Sequence, residues 1–265
     1  MQIGAQLYTV HNHTTNLEDF SKTLKKVADI GYKSVQVSGT CPYEPEWLRD
    51  ELLKNNLKCV LTHIPPKSLI NGDIEQIVKK HAIFDCRNIG IGGMPATDGE
   101  QGFEDRYEPF REKFVPIAKQ IRDLGAKLHF HNHYQEFQGA FAKTSVIDRI
   151  LEDFPEDSID FTLDLGWAAW AGVDVVTLIK KLSGRLSRIH LKDYLDEIPA
   201  GIEEERVYLR PIYEGKLDYD SYINVLSEAG CEYMLVEQDR CYNENEFDCL
   251  KRSFENVTKH FPDTK

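Results

Sequence analysis

No Cys-x-x-Cys pair occurs among the six cysteines (Cys41, Cys59, Cys86, Cys231, Cys241 and Cys249) of this 265-residue chain. Their low density, and the place of Cys59 inside an apolar run, argue against a disulfide framework and for reduced cytosolic thiols. No apolar run is long enough to span a membrane. The opening residues, Met1 to Tyr8, lack the basic stretch followed by a long apolar one that a secretory signal carries. A cytoplasmic protein with no membrane partner is expected. Positive charge is also in deficit: 32 Lys and Arg face 44 Asp and Glu, for a net charge of −12. That balance argues against nucleic acid or an anionic membrane as the main partner. A phosphorylated small molecule stays possible, since a few local cations would serve it. Internal repeats, low-complexity segments and linkers are all missing. So is a Gly-x-Gly-x-x-Gly run after the first expected strand, where Gln6-Leu7-Tyr8-Thr9-Val10-His11 stands instead. This speaks against a doubly wound dinucleotide-binding sheet.

What the chain does have is alternation. Strand-like runs cover residues 3–8, 34–37, 57–62, 88–91, 127–133, 159–163, 186–189 and 233–236. Helical spacing follows each: residues 17–30, 45–55, 74–84, a long helix ending near Leu124 and Gly125, then 145–154, 175–182, 219–229 and 246–260. In the first helix Leu17, Phe20, Leu24, Val27 and Ile30 recur at a helical period, and Gly31 stops it. Strands alternating with helices imply parallel pairing through right-handed crossovers. Eight such units predict one α/β domain over residues 1–265, a closed (β/α)8 TIM barrel.

The last four expected strands each run into a potential metal ligand. These are Glu136 after His131-Asn132-His133, Asp164 in Thr-Leu-Asp-Leu-Gly, His190 in Ile-His-Leu-Lys-Asp, and Glu237 in Leu-Val-Glu-Gln-Asp. A lone acid at a strand end is usually a cap or a surface residue. Four at the same end of neighbouring strands converge at the barrel mouth, where active sites are built. Three carboxylates and one imidazole predict a site for one divalent ion: Mn²⁺, Mg²⁺, Co²⁺ or Zn²⁺. Such an ion polarises a carbonyl or hydroxyl pair, and carboxylates beside the substrate can then move a carbon-bound proton.

Other polar and aromatic side chains are candidates for substrate contact. His63 ends the third expected strand, and His131 and His133 share one face of the fifth. Trp167 follows Asp164 and offers a stacking wall, and Lys192 follows His190 by two residues. The connection from Lys192 to Asp218 is unusually long and carries Glu203, Glu204, Glu205, Arg206, Arg210 and Glu214-Gly215-Lys216. A lid over the pocket is the expected role, with Arg210 at the substrate; a solvated surface insertion is the plainer alternative.

These residues carry a resemblance. Gln6-Leu7-Tyr8-Thr9, His131 to Phe137, Leu163-Asp164-Leu165-Gly166, His190-Leu191-Lys192-Asp193, Glu214 to Asp218 and Val236-Glu237, in this order, resemble the xylose-isomerase-like TIM-barrel superfamily. The likeness is to its sugar phosphate isomerase/epimerase branch and runs over nearly the whole chain. It implies one divalent metal held by Glu136, Asp164, His190 and Glu237, with Glu136 and Glu237 as the acid/base pair. Two departures stand out. In several epimerases of the superfamily the glutamate of the fifth strand lies about where His129 stands here. Some members carry a histidine where this chain has Trp167.

The function expected is a metal-dependent sugar isomerase or epimerase, working through an enediolate on a small carbohydrate. A lyase of the inosose dehydratase kind, or one expelling a glycosidic oxygen, is the enzymatic alternative. A non-catalytic sugar-binding barrel is the alternative from another class. Phosphodiester cleavage, also found on this fold, needs more ligands and a basic face. A homo-oligomer is compatible with the sequence.

Overall fold

The computed structural model describes residues 1–95, 103–137, 144–202 and 207–262. Eight strands close into a parallel barrel: β1 (Gln2–Gln6), β2 (Ser34–Val37), β3 (Lys58–His63), β4 (Asn88–Ile91), β5 (Lys127–His131), β6 (Ile159–Asp164), β7 (Arg188–Leu191) and β10 (Tyr233–Val236). Each pairs with its neighbours in the order β1-β10-β7-β6-β5-β4-β3-β2. Closure leaves no strand edge unpaired. The strands are short and almost wholly buried, as parallel strands covered by helices must be.

Local chemistry sets the helix starts. Asn16 accepts the Asp19 amide at 3.0 Å and begins the helix Leu17–Ile30. Ser145 and Asp148 form a reciprocal capping box at the start of Val146–Asp153. The helix Leu17–Ile30 buries Phe20, Leu24 and Val27 on the side facing the barrel. Tyr32, fully buried, donates to the carbonyl of Leu250 in the helix Glu246–His260 at 2.9 Å. The first and last units of the chain are thereby fastened side by side.

Most expected elements are present within a residue or two. Four short elements exceed the expectation: 3-10 turns at Leu7–His13 and Tyr134–Phe137, and helices at Pro66–Asn71 and Leu165–Trp170. The long connection after β7 is also structured. It contains an antiparallel ribbon of β8 (Asp193–Leu195) and β9 (Tyr208–Arg210). Asp193 is its anchor, accepting backbone amides of Tyr194, Tyr213, Gly215 and Leu217 at 2.9 to 3.2 Å. A Cβ on Gly215 would overlap the Asp193 carboxylate, so glycine is required there. Tyr194, Val207 and Leu209 form a small apolar cluster under the ribbon, against Trp167, Trp170, Leu217 and Tyr242. The ribbon is therefore a folded wall of the barrel mouth. Glu203, Glu204, Glu205 and Arg206 lie outside the described residues, as does most of the glycine-rich loop after β4. No helix among the described residues is long and apolar enough to cross a membrane.

Candidate metal and substrate site

Strand parity and register bring four side chains together at the C-terminal ends of β5, β6, β7 and β10. His131 ends β5, Asp164 ends β6, His190 lies in β7, and Glu237 follows β10 directly. Asp164 and His190 are register partners. One potential ligand atom from each of the four lies within 4.8 Å of all the others, and all four residues are buried.

Neighbouring groups fix which atom of each side chain faces inward. Asn132 clasps the end of β6: its carbonyl accepts the Asp164 amide at 2.9 Å, and its Nδ2 donates to the Asp164 carbonyl at 3.3 Å. Asp164 Oδ1 caps the next helix by accepting the Trp167 amide at 2.8 Å, which leaves Oδ2 for the site. Gly166 makes this turn possible, since a Cβ there would overlap the Lys192 carbonyl. His190 Nε2 donates to Gln36 Oε1 at 2.7 Å, and His131 Nδ1 donates to the Thr162 carbonyl at 3.2 Å. Those acceptors select the tautomers that leave His190 Nδ1 and His131 Nε2 as lone-pair donors.

The inward atoms are acceptors facing acceptors. His190 Nδ1 lies 2.8 Å from Glu237 Oε2 and 3.9 Å from Asp164 Oδ2. None of the three makes a well-aligned hydrogen bond, although all are buried; the two carboxylate oxygens also have the Lys192 ammonium close by. Buried lone pairs that converge without protons between them are costly unless a cation joins them. The donor set, two imidazoles and two carboxylates, suits a borderline divalent ion. The residues therefore fit a metal.

Lys192 enters the same cluster. Its Nζ lies 2.9 Å from Asp164 Oδ2, 3.1 Å from Glu237 Oε2 and 2.7 Å from Asp239 Oδ2, and 4.9 Å above the Trp167 ring. Burial opposes its charge, but the three carboxylates prevail and hold its pKa well above the ordinary value. Burial likewise pushes Asp164 up to about 6, against the pull of Lys192. For Glu237 burial is outweighed by the Lys192 ammonium, and the carboxyl stays well below its usual range.

A cavity of about 730 Å³ opens above the cluster, with Tyr8, His63, His131, His133, Trp167 and Glu237 among its lining. Leu209 of the ribbon and Val207, just before β9, form part of its wall. The His131 ring centre lies 5.3 Å from that of His63, 4.9 Å from His133 and 4.5 Å from His190. Burial, reinforced by cationic neighbours, lowers His63 to about 3 and His133 to about 4. Both imidazoles are neutral at physiological pH.

Two expected site residues stand elsewhere. Glu136, expected as a ligand and as half of the acid/base pair, is absent from the four-residue group; His131 occupies that corner. β5 ends at His131, and the 3-10 turn Tyr134–Phe137 folds Glu136 back so that Oε2 accepts the His133 amide at 2.8 Å. Its carboxylate lines an adjoining cavity of about 230 Å³ with Gly93, Met94 and Arg106. Arg210, expected at the substrate, is not on the main cavity. It bridges Glu214 at 2.8 Å and Glu244 at 2.7 Å, and Arg252 joins the same two acids. The residues missed by sequence reasoning are Gln36, Asn132, Asp239 and Arg240. Gln36 stands between Val35 and Val37 in β2, and Asp239 shares the strand parity of Glu237; both signals were readable.

The family model described as xylose isomerase-like TIM barrel matches residues 24–253. The inosose dehydratase of Clostridium botulinum (strain Alaska E43 / Type E3) is 20% identical over 249 residues, spanning 83% of this chain and 82% of the relative. Among solved structures, a sugar phosphate isomerase/epimerase from Parabacteroides distasonis ATCC 8503 superposes with a TM-score of 0.77 at 18% identity, covering 97% of this chain and 98% of its own. The IolI protein with a bound zinc atom superposes with a TM-score of 0.71 at 13% identity, over 100% of this chain and 99% of its own.

Proposed function

The chain belongs to the xylose isomerase-like TIM-barrel family, and we propose that it is a divalent-metal-dependent lyase acting on a keto-sugar or keto-cyclitol. His131, Asp164, His190 and Glu237 are the ligands in this reading. The observation that carries it is the convergence of these four buried side chains, with one potential ligand atom of each within 4.8 Å of all the others. The IolI protein, which shares this fold, was solved with a bound zinc atom, in keeping with a metal on such a barrel. When bound, a divalent ion supplies Lewis-acid polarisation of the substrate's carbonyl and neighbouring hydroxyl.

The chain's own residues do the rest. Trp167 offers an apolar face to the ring of the substrate, and Val207 and Leu209 keep water from that side. His63 and His133, both neutral, exchange hydrogen bonds with its hydroxyls. Glu237, the carboxylate on both the cluster and the cavity, takes the proton from the carbon beside the carbonyl. The electrons of that C–H bond form a double bond, the adjacent C–O bond breaks, and the proton leaves with the departing hydroxide as water. One base suffices for this elimination. Two-base epimerisation by Glu136 and Glu237 is disfavoured because Glu136 faces an adjoining cavity. The inosose dehydratase relative is in keeping with elimination.

An isomerase or epimerase outcome is the second reading, favoured by one observation. Asp239 is a further carboxylate on the cavity wall and could return the proton. NMR in deuterated water, with Mn²⁺ and a panel of inososes and keto-sugars, separates the two. A lyase yields an unsaturated product, whereas an epimerase yields deuterium at a retained carbon without loss of water. Sugar binding with neither exchange nor elimination would sink both and leave a binding barrel.

A further inference from the structure

Three carboxylates meet at Lys192, and the charge they carry exceeds what it can neutralise. Asp164, Glu237 and Asp239 all lie within 3.1 Å of its Nζ. The ammonium is 1% exposed, and Asp164 and Glu237 are 0% and 5% exposed, while Asp239 is 28% exposed and faces the cavity. With one ammonium the group is left doubly negative; with an added divalent ion it is neutral. Charge buried without its counter-charge is costly.

The contacts also overlap. Lys192 uses Asp164 Oδ2 and Glu237 Oε2, the same two oxygens that approach His190 Nδ1. A divalent ion taken up by these ligands would compete with the like-charged ammonium for the same oxygens. Asp239 Oδ2 is the nearest of the three and belongs to no candidate ligand. Lys192 has a flexible stem with a fixed root, since its carbonyl accepts the Tyr219 hydroxyl at 2.7 Å and its backbone packs on Gly166.

We propose that Lys192 is the resident counter-cation of the metal-free site, and that loading a divalent ion transfers its ammonium from Asp164 and Glu237 to Asp239 at the cavity wall. The chain thereby keeps its ligands assembled before the ion arrives. The exchange then presents a positive charge to the substrate only when the metal is in place. This inference rests on the metal site proposed above and goes beyond it, because it couples that site to a second cation of the protein.

The test is a double-mutant cycle read by calorimetric titration of Mn²⁺ into chelator-stripped protein. Lys192→Met removes the competitor and should tighten Mn²⁺ binding by about tenfold or more. Asp239→Asn removes the place to which the ammonium withdraws and should weaken binding by a comparable factor. In Lys192→Met/Asp239→Asn the second change should lose most of its effect, because it acts through Lys192. Two results overturn the inference: Lys192→Met binding Mn²⁺ no tighter than wild type, or Asp239→Asn weakening it equally in both backgrounds. Should Lys192→Met fail to fold, Lys192→Gln takes its place in the cycle, keeping polarity without charge. Wild-type protein that binds no Mn²⁺ would instead refute the metal site itself, and the exchange with it.

Discussion

Two glutamates expected in one site sit in different surroundings. Glu237 follows β10 directly and points into the cluster; Glu136 lies five residues past the end of β5 and turns away. Ligand type alone favoured the carboxylate over the imidazole at that corner. Strand parity favoured the imidazole, because His129, His131 and His133 alternate with their neighbours along β5 and its extension. Asp164 and His190 were legible because each ends an apolar run; Lys192 was legible as a candidate but not as the partner of three acids. Elemental analysis should find His131→Ala and Asp164→Asn depleted of metal and Glu136→Gln loaded like wild type. A loaded His131→Ala beside an empty Glu136→Gln would reverse the assignment. Glu136 also has a signature in stability. Burial outweighs two backbone hydrogen bonds and pushes its carboxyl from 4.5 to about 7. The folded protein keeps that proton between these values while the unfolded chain has lost it. Stability is therefore fully present below about 4.5 and falls as pH rises through 7. Urea unfolding at pH 5 and pH 8 should show wild type losing about 1–3 kcal/mol more than Glu136→Gln. Equal losses would show that Glu136 is not held neutral.

At the scale of elements, the strands and long helices followed directly from apolar periodicity, and the pieces that shape the mouth did not. β8 and β9 have three residues each, too few to display alternation. What holds them is the Asp193 carboxylate with its four backbone amides, three of them 20 to 24 residues away, which no local pattern announces. The run Glu214-Gly215-Lys216 likewise acquires its reason only in three dimensions. Gly215 must pass close to Asp193, and Glu214 pairs with Arg210 and Arg252. Gly215→Ala should lower stability by about 1–3 kcal/mol, since either the carboxylate or the chain must shift and amides lose their acceptor. Hydrogen exchange is expected to quicken at Tyr208–Arg210 while β1 to β5 stay protected. A variant with wild-type melting temperature and unchanged exchange there would show that Asp193 is not the anchor.

For the whole molecule, eight alternating units told the architecture, because only a closed parallel barrel uses them all without an exposed edge. One apolar cluster runs from Ile3 in β1 to Val257 in the last helix. Calorimetry of metal-free protein is therefore expected to show a single cooperative transition, with the calorimetric enthalpy equal to the van't Hoff enthalpy. Two separable transitions would divide the chain into two domains. The seam where β1 meets β10 has a further consequence, in the order of synthesis. Gln2, Ile3, Gly4 and Ala5 take partners from Tyr233 to Val236, and Gln6 faces Gln36, whose side chain steadies His190. A nascent chain still short of β10 carries His131, Asp164 and His190 but neither Glu237 nor the strand that locks β1. The strand that opens the barrel therefore waits for Tyr233 to Val236 before the ring can shut. In the proposed reading the fourth ligand, Glu237, joins the other three only when β10 closes the ring, so full cation binding would follow barrel closure and not precede it.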